Sequence, residues 1–394
     1  MPVFRINGIG CSLMDFLYSG ISFGSESFRK FQSEKDGDGG LAPGKLVFAS
    51  EFEKFSGIGT EALLQELTGK KPPDSLNVGG PCIVALIHAA QMLEGKNVDV
   101  SFYGLSGNDS TSDQLFRMIA QTPLNSRYYQ RTNGITPYTV VLSDPSYHHG
   151  KGERAFINHI GAAWEFTPDG IDPSFFDAGI TVFGGTALVP AIHDSLHDLL
   201  QKARNHGSLT VVNTVYDFRN EKKSPGTAWP LGDSAKSFPL IDLLIADREE
   251  ALKITGQFTI ESAFESLKTS GAGAFIITDG DNPVSLFSRG TRFQPLLPAR
   301  LPVSETVTLN SEGRSKGDTT SCGDNFAGGV LFSLASQYLS GKITPDLMEA
   351  AHWGIVSGGF ACYYLGGNYT ENEPGEKYRK VKNLYTAYLE QTGN

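Results

Sequence analysis

Short apolar runs alternate with longer stretches of helical spacing along most of this chain, and few folds accommodate that alternation. Residues 98–104, 180–184, 209–215, 243–247 and 274–278 are rich in Val, Ile and Phe and are bounded by glycine or polar residues. That pattern predicts buried strands. Residues 83–93, 112–120, 192–205 and 260–269 carry the spacing of helices. Strand and helix in turn imply βαβ units, hence an α/β fold with a doubly wound, mainly parallel sheet and helices on both faces. Ligands of such sheets bind beyond the C-terminal strand ends. Asp247, Thr278-Asp279-Gly280 and the run 318–324 are all expected there. Two regions, about 16–75 and about 131–161, break the alternation. In the second, 138–143 and 154–158 predict antiparallel strands around a turn at 145–152. There is no internal repeat, and residues 1–394 read as one domain.

The chemistry concentrates in Asp318-Thr319-Thr320-Ser321-Cys322-Gly323-Asp324-Asn325-Phe326-Ala327-Gly328-Gly329. Phe326, Val330, Leu334 and Tyr338 fall four apart, so a helix is predicted to start within this run, just after a strand. The first N–H groups of a helix lack partners inside it, and the macrodipole adds partial positive charge there. Ser321, Cys322 and Gly323 are small enough to let an anion approach. Asp324 is then either an ordinary cap or a base that takes a proton from an attacking hydroxyl.

Composition narrows the partners. Formal net charge is −10, which argues against nucleic acid but not against a small anion held by N–H groups. The 45 glycines exceed the usual ~7 % and imply many tight turns. Four cysteines (Cys11, Cys82, Cys322, Cys362) lie far apart without a CxxC pair, so neither a disulfide framework nor a zinc site is expected. His148-His149 is expected in an exposed loop. No apolar run reaches the ~18 residues of a membrane span, and the first ten residues lack the form of a signal peptide. A cytoplasmic protein is the expectation.

The run from Asp318 to Gly329 resembles the C-terminal signature of the ribokinase-like (PfkB) kinases, which phosphorylate sugars and nucleosides: Asp-Thr-Thr-Gly-Ala-Gly-Asp-x-Phe-x-Gly-Gly. Ser321 and Cys322 replace the usual Gly and Ala, while Gly323 and Asp324 are kept. The resemblance implies an anion hole at Ser321, Cys322 and Gly323 and a general base at Asp324. It also implies that 16–75 and 131–161 build a small β-sheet lid over the substrate. Asn7-Gly8-Ile9-Gly10, read as following the first strand, leads to Asp15, which the family uses to bind substrate. Asn77-Val78-Gly79-Gly80-Pro81 resembles the first signature, Gly-Gly-x-x-x-Asn-x-Ala, and places Gly79 and Gly80 at the substrate. The Asn position reads Val84, which implies a different hydroxyl pattern or a more apolar substrate edge.

Asp247 and Glu250 resemble the Asn-x-x-Glu motif that organises Mg²⁺, with Asp in place of Asn. Both also suit the first turn of a helix. Thr278 and Gly280 resemble the Thr-x-Gly element near the nucleotide phosphates, although the next expected Gly is Pro283. Asp318 and Thr319 join them as nucleotide-binding candidates. Asn213, Arg219 and Trp229 match a family strand loosely. A small-residue helix over 350–359 could admit adenine or simply pack tightly. The resemblance therefore implies an ATP- and Mg²⁺-dependent kinase of a small sugar's primary hydroxyl. A nucleoside kinase is the alternative, with Phe156, Tyr138 and Trp164 available for a base, and a non-catalytic sugar or nucleotide sensor is another. No Walker A motif is present. A homodimer paired through the lid is compatible with this reading.

Overall fold

The computed structural model describes residues 2–35, 37–150, 152–232, 235–310 and 319–393. Asp318, one of the nucleotide-binding candidates, lies outside them. Among the described residues a nine-stranded sheet runs in the order Leu296–Leu301, Asn282–Ser288, Ala274–Asp279, Leu243–Asp247, Leu209–Asn213, Ile180–Gly184, Phe4–Gly10, Val98–Ser106, Tyr129–Arg131. All neighbours from Ala274–Asp279 to Tyr129–Arg131 are parallel, and the first two strands form an antiparallel edge. From Phe4–Gly10 the chain winds first towards Tyr129–Arg131 and later, starting at Ile180–Gly184, the other way. The switch point of the sheet therefore lies beside Phe4–Gly10, where ligands of such folds sit.

Alternate strand residues feed two cores. Ile6, Val100, Val182, Val211, Ile245 and Ile276 pack with the helices Pro81–Met92, Cys322–Leu339 and Leu347–Ala361. Ile9, Tyr103, Phe183, Val212, Leu244 and Phe275 pack with Leu196–Asn205 and Arg248–Thr255 on the other face. Both faces are covered, as parallel sheets require.

A second sheet has the order Leu46–Phe48, Glu153–His159, Tyr138–Asp144, Leu13–Ser19, Ser75–Gly79. One of its faces packs Tyr18, Val47, Val140, Leu142, Ala155 and Ile157 against Phe28, Phe31, Phe52 and Leu63. The register lines up Asn77, Asp15, Thr139, Asn158 and Phe48 as a single row across all five strands. Because side chains alternate along a strand, that row belongs to the face opposite the apolar cluster.

Several sequence expectations change in detail. Asn7-Gly8-Ile9-Gly10 lies within the first strand, not after it. A Cβ at Gly8 would meet Leu86 Cδ1 at 2.5 Å, and one at Gly10 would meet Gly184 O at 2.1 Å and Cys82 Cβ at 2.7 Å, so these glycines let Pro81–Met92 settle onto the sheet. The stretch 192–205 is two helices, Pro190–Asp194 and Leu196–Asn205, separated at Ser195. Strand Leu209–Asn213 stops short of 215, and just beyond it the Thr214 hydroxyl donates to Glu250 Oε2, 2.6 Å away. His148 is exposed but sits in a helical turn, Tyr147–Gly150. Before Thr319, the described backbone is the short helix Glu305–Leu309; a strand leading into the run would fall on 311–318, outside the described residues.

Candidate functional site

The helix Cys322–Leu339 begins where expected, and its start is unusual. Ser321 precedes it in the left-handed region, φ 57° and ψ 20°, without a side-chain cap bond to the helix backbone. Its hydroxyl instead bonds Asp324, two positions inside the helix. A non-glycine residue held there costs on the order of 1–3 kcal/mol, which surrounding contacts must offset. Gly323 is exposed, and among the described residues a Cβ on it would meet nothing within 4 Å. The N–H groups of this first turn carry partial positive charge. The Cys322 N–H makes a long bond to Thr319 O, 3.4 Å. Asp324 is half-buried; desolvation pushes its carboxyl up to about 6, against the pull of the Ser321 hydroxyl.

Gly79 and Gly80 are fixed by their surroundings. A Cβ at Gly79 would lie 2.3 Å from Asp15 Oδ2, so the Asp15 carboxylate rests directly over that glycine. Gly80 has φ 109°, and its Cβ would strike Cys11 O at 2.4 Å. Pro81 then opens the helix at a position where its missing N–H costs nothing. Val84, in place of the family Asn, is fully buried, with Cγ2 2.9 Å from a Cβ built on Gly367. It packs beneath the 366–368 loop.

Asp247 caps Arg248–Thr255: its Oδ1 accepts from Glu250 N at 2.8 Å, and Glu250 Oε2 accepts from Asp247 N at 3.0 Å. Both thus cap the helix locally. Among the described residues no cation forms an ion pair with either. Burial and then Asp247 push Glu250 up to about 8, with Asp324 adding to the rise. Asp247 is raised by desolvation and by Asp279. Among the described residues no group of three or more His, Cys, Asp or Glu side chains could enclose a metal. A Mg²⁺ ion keeps most of its waters and needs only one or two carboxylates beside substrate phosphates, so this uncompensated pair fits that ion.

Thr278 is the register partner of Asp247 on the neighbouring strand. Gly280, at φ 56°, forms a tight hairpin turn with Asp281 between Asp279 and Asn282, where a strand-to-loop element was expected. Pro283 falls in the irregular stretch of that ladder, where a missing N–H is tolerated. Electrostatic influence runs from Asp15 to Cys11, from Cys11 and Asp324 to Cys82, and from Asp324 to Glu250. The structure thus brings Asp15 onto Gly79, pairs Asp247 with Thr278 and with Glu250, and leaves Asp324 close enough to influence Glu250.

Arg154 was missed by sequence reasoning. On strand Glu153–His159 of the small sheet, it shares a face with Phe156 and Asn158, and its Nη2 donates to Thr319 Oγ1 at 3.3 Å. This bond joins the small sheet to the run ahead of Asp324. Only an alternation count on that strand, combined with the sheet pairing, could have flagged it. Arg219, by contrast, forks onto Asp194, and Trp229 Nε1 donates to Glu221 Oε2 at 2.8 Å; both serve local packing.

A cavity of about 540 Å³ opens between Phe48, Glu51, Asn158, His159, Trp164 and Phe218. Asn158 links it to the strand of Asp15, because its Nδ2 donates to Thr139 Oγ1 at 2.9 Å and Thr139 is the cross-strand neighbour of Asp15. Tyr138 points away from the row and stacks on His159 at 5.1 Å.

Solved structures share this architecture. A protein described as a probable sugar kinase from Rhizobium etli CFN 42 matches at 17 % identity and TM-score 0.69, over 98 % of this chain and 100 % of its own. Adenosine kinase from Sinorhizobium meliloti matches at 17 % identity and TM-score 0.67, over 96 % and 99 %. Ribokinase from Thermotoga maritima matches at 15 % identity and TM-score 0.60, over 97 % and 99 %. At such identities the likeness establishes the fold. The family model described as pfkB family carbohydrate kinase matches residues 61–371, most of the chain. With its doubly wound sheet, its second small sheet and that match, the chain belongs to the pfkB family of carbohydrate kinases and is a phosphotransferase of ribokinase-like fold.

Proposed function

We propose that the protein transfers the γ-phosphoryl group of ATP to the primary hydroxyl of a small sugar, with Asp324 as general base. The observation that carries this reading is the placement of Asp324: a carboxyl raised to about 6, in the first turn of a helix where no described residue comes within 4 Å of a Cβ at Gly323. A base with a pKa near operating pH is efficient, and such catalysis typically contributes ~10²–10⁴-fold. Asp15 accepts hydrogen bonds from the acceptor's hydroxyls while Gly79 and Gly80 let the substrate approach the backbone. Asp324 takes the proton as the hydroxyl oxygen attacks phosphorus in line. The N–H groups around Ser321, Cys322 and Gly323 receive charge on the transferring oxygens. Arg154, held at Thr319, brings the fixed cation that a P-loop lysine supplies elsewhere. Thr278, Gly280 and Thr319 border the nucleotide phosphates. Asp247 and Glu250 would hold Mg²⁺, which when bound would neutralise charge on the phosphate oxygens.

A nucleoside acceptor is the second reading, supported by the cavity. Its volume is in the range of pockets for drug-sized ligands, and Phe48, Trp164 and Phe218 offer aromatic surface for a base. ATP-to-ADP turnover with Mg²⁺ across hexoses, pentoses, keto-acid sugars and nucleosides separates the two. The expected result is one strong acceptor, with Asp324→Asn losing turnover and retaining ATP binding. Normal turnover by that variant would remove Asp324 from the mechanism.

A further inference from the structure

The catalytic helix is anchored by a lysine with no access to water. Lys377, the second residue of helix Glu376–Thr392, is 0 % exposed, and its Nζ donates to Gln91 Oε1 at 3.0 Å and to Asn325 Oδ1 at 3.3 Å. Asn325 follows Asp324 directly and is itself 0 % exposed. Its Nδ2 donates to Ser321 O at 3.0 Å and Gly367 O at 2.9 Å, while its Oδ1 also accepts from Tyr364 OH at 3.0 Å. That orientation makes Oδ1 an acceptor only, so His88 Nδ1, 2.8 Å away, must carry the proton. His88 Nε2 then has none, and among the described residues it has no partner.

We propose that Lys377 is a positioning residue: through Asn325 it holds Ser321 in its left-handed conformation and so aims the anion-binding turn and Asp324. The proposal rests on Asp324 being the base. Burial pushes the Lys377 amine down to about 7, and it faces two amide oxygens without a direct carboxylate contact among the described residues. Glu371 receives the Lys377 N–H, not its ammonium. Gln91 passes the constraint on to the 364–369 loop by donating to Tyr369 O at 2.8 Å.

Lys377→Met and Asn325→Asp test it. The aspartate keeps the shape of Asn325 but cannot donate to the Ser321 and Gly367 carbonyls. Both variants are expected to lower kcat about tenfold or more with KM for ATP and acceptor within about twofold, and Lys377→Met/Asn325→Asp is expected to lose little beyond either alone. A folded Asn325→Asp enzyme with normal kcat, or losses that simply add, would overturn the proposal. Asp324→Asn assayed alongside reports on the base assignment separately.

A different observation carries a second inference. Cys322 and Cys362 place their sulfurs 3.3 Å apart, and both residues are half-buried. Close packing explains the approach: a Cβ at Gly358 would lie 2.9 Å from Cys322 O, so the two helices touch one turn before Cys362. The geometry points to a reversible disulfide that switches the enzyme off. One thiolate attacks a small disulfide such as oxidised glutathione and releases one thiol. The second thiolate then displaces the other thiol and closes the Cys322–Cys362 bond, so two electrons pass to the small disulfide. The sulfurs must close to about 2.05 Å, which pulls on the backbone meant to grip the phosphoryl group.

Oxidised glutathione is expected to cross-link the two tryptic peptides and lower turnover about tenfold or more, with recovery in dithiothreitol and with Cys362→Ser remaining active throughout. A cross-link that leaves turnover unchanged, no cross-link, or equal inactivation of Cys362→Ser would overturn it.

Discussion

The fold desolvates the carboxyls of Asp324 and Glu250, and their pH behaviour follows. If Asp324 is the base, its carboxylate form is required. With the carboxyl raised to about 6, kcat/KM is expected to rise as pH increases through about 6 and to fall about tenfold per pH unit below. Asp324→Asn should remove that limb in a pH-rate profile. Glu250, raised to about 8, binds its proton more tightly in the folded than in the unfolded chain. Its folded-state protonation therefore stabilises the protein below the unfolded pKa, and this benefit is lost as pH rises towards about 8. Glu250→Gln should raise stability at pH 8 by about 1–3 kcal/mol, since the amide oxygen can still accept from Thr214 and Asp247, while Mg²⁺-dependent turnover falls. Thermal denaturation at pH 5 and pH 8 checks both signs. A variant less stable than the parent at pH 8 would contradict the assignment.

At the scale of elements, the junction between strand Ser75–Gly79 and helix Pro81–Met92 is a pair of steric gates. Gly79→Ala places a methyl group 2.3 Å from Asp15 Oδ2. The expected outcome is a displaced Asp15 and a rise of about tenfold in KM for the acceptor, with KM for ATP little changed. Gly80→Ala meets a φ of 109° and the Cys11 carbonyl at once. Its cost should be global, about 1–3 kcal/mol or more, seen as a lower Tm. Steady-state kinetics on the first and calorimetry on the second distinguish a ligand effect from a folding effect.

Across the whole molecule, contacts such as Arg154 to Thr319 and the Lys222 to Glu51 ion pair join the small sheet and its helices to the body beside the cavity. Of the three tryptophans, Trp229 and Trp353 are buried, whereas Trp164 is 52 % exposed and lines that cavity. A true acceptor should therefore change the intrinsic fluorescence, and Trp164→Phe should abolish the change. An unchanged response in Trp164→Phe would place the acceptor elsewhere. No helix among the described residues is long and apolar enough to cross a membrane.

The periodicity of local runs was enough to determine the parallel sheet, its helical layers and the start of helix Cys322–Leu339, because burial imposes period two or 3.6 on neighbouring residues. The Asp318–Gly329 signature likewise marked Asp324 from the sequence. What tertiary structure alone decided are relations between distant segments. Asp15 over Gly79, Arg154 against Thr319, Lys377 on Asn325 and Cys322 beside Cys362 bring together residues between 40 and 165 positions apart. No local pattern encodes them, since they depend on which strand pairs with which and on how closely helices approach at glycine. The antiparallel edge strands Asn282–Ser288 and Leu296–Leu301 escaped for a related reason: neither shows a clean alternation, and the second is largely exposed. Val84 shows the same limit. Its sequence position suggested a ligand contact, and only the packing of Gly367 over it revealed a core residue.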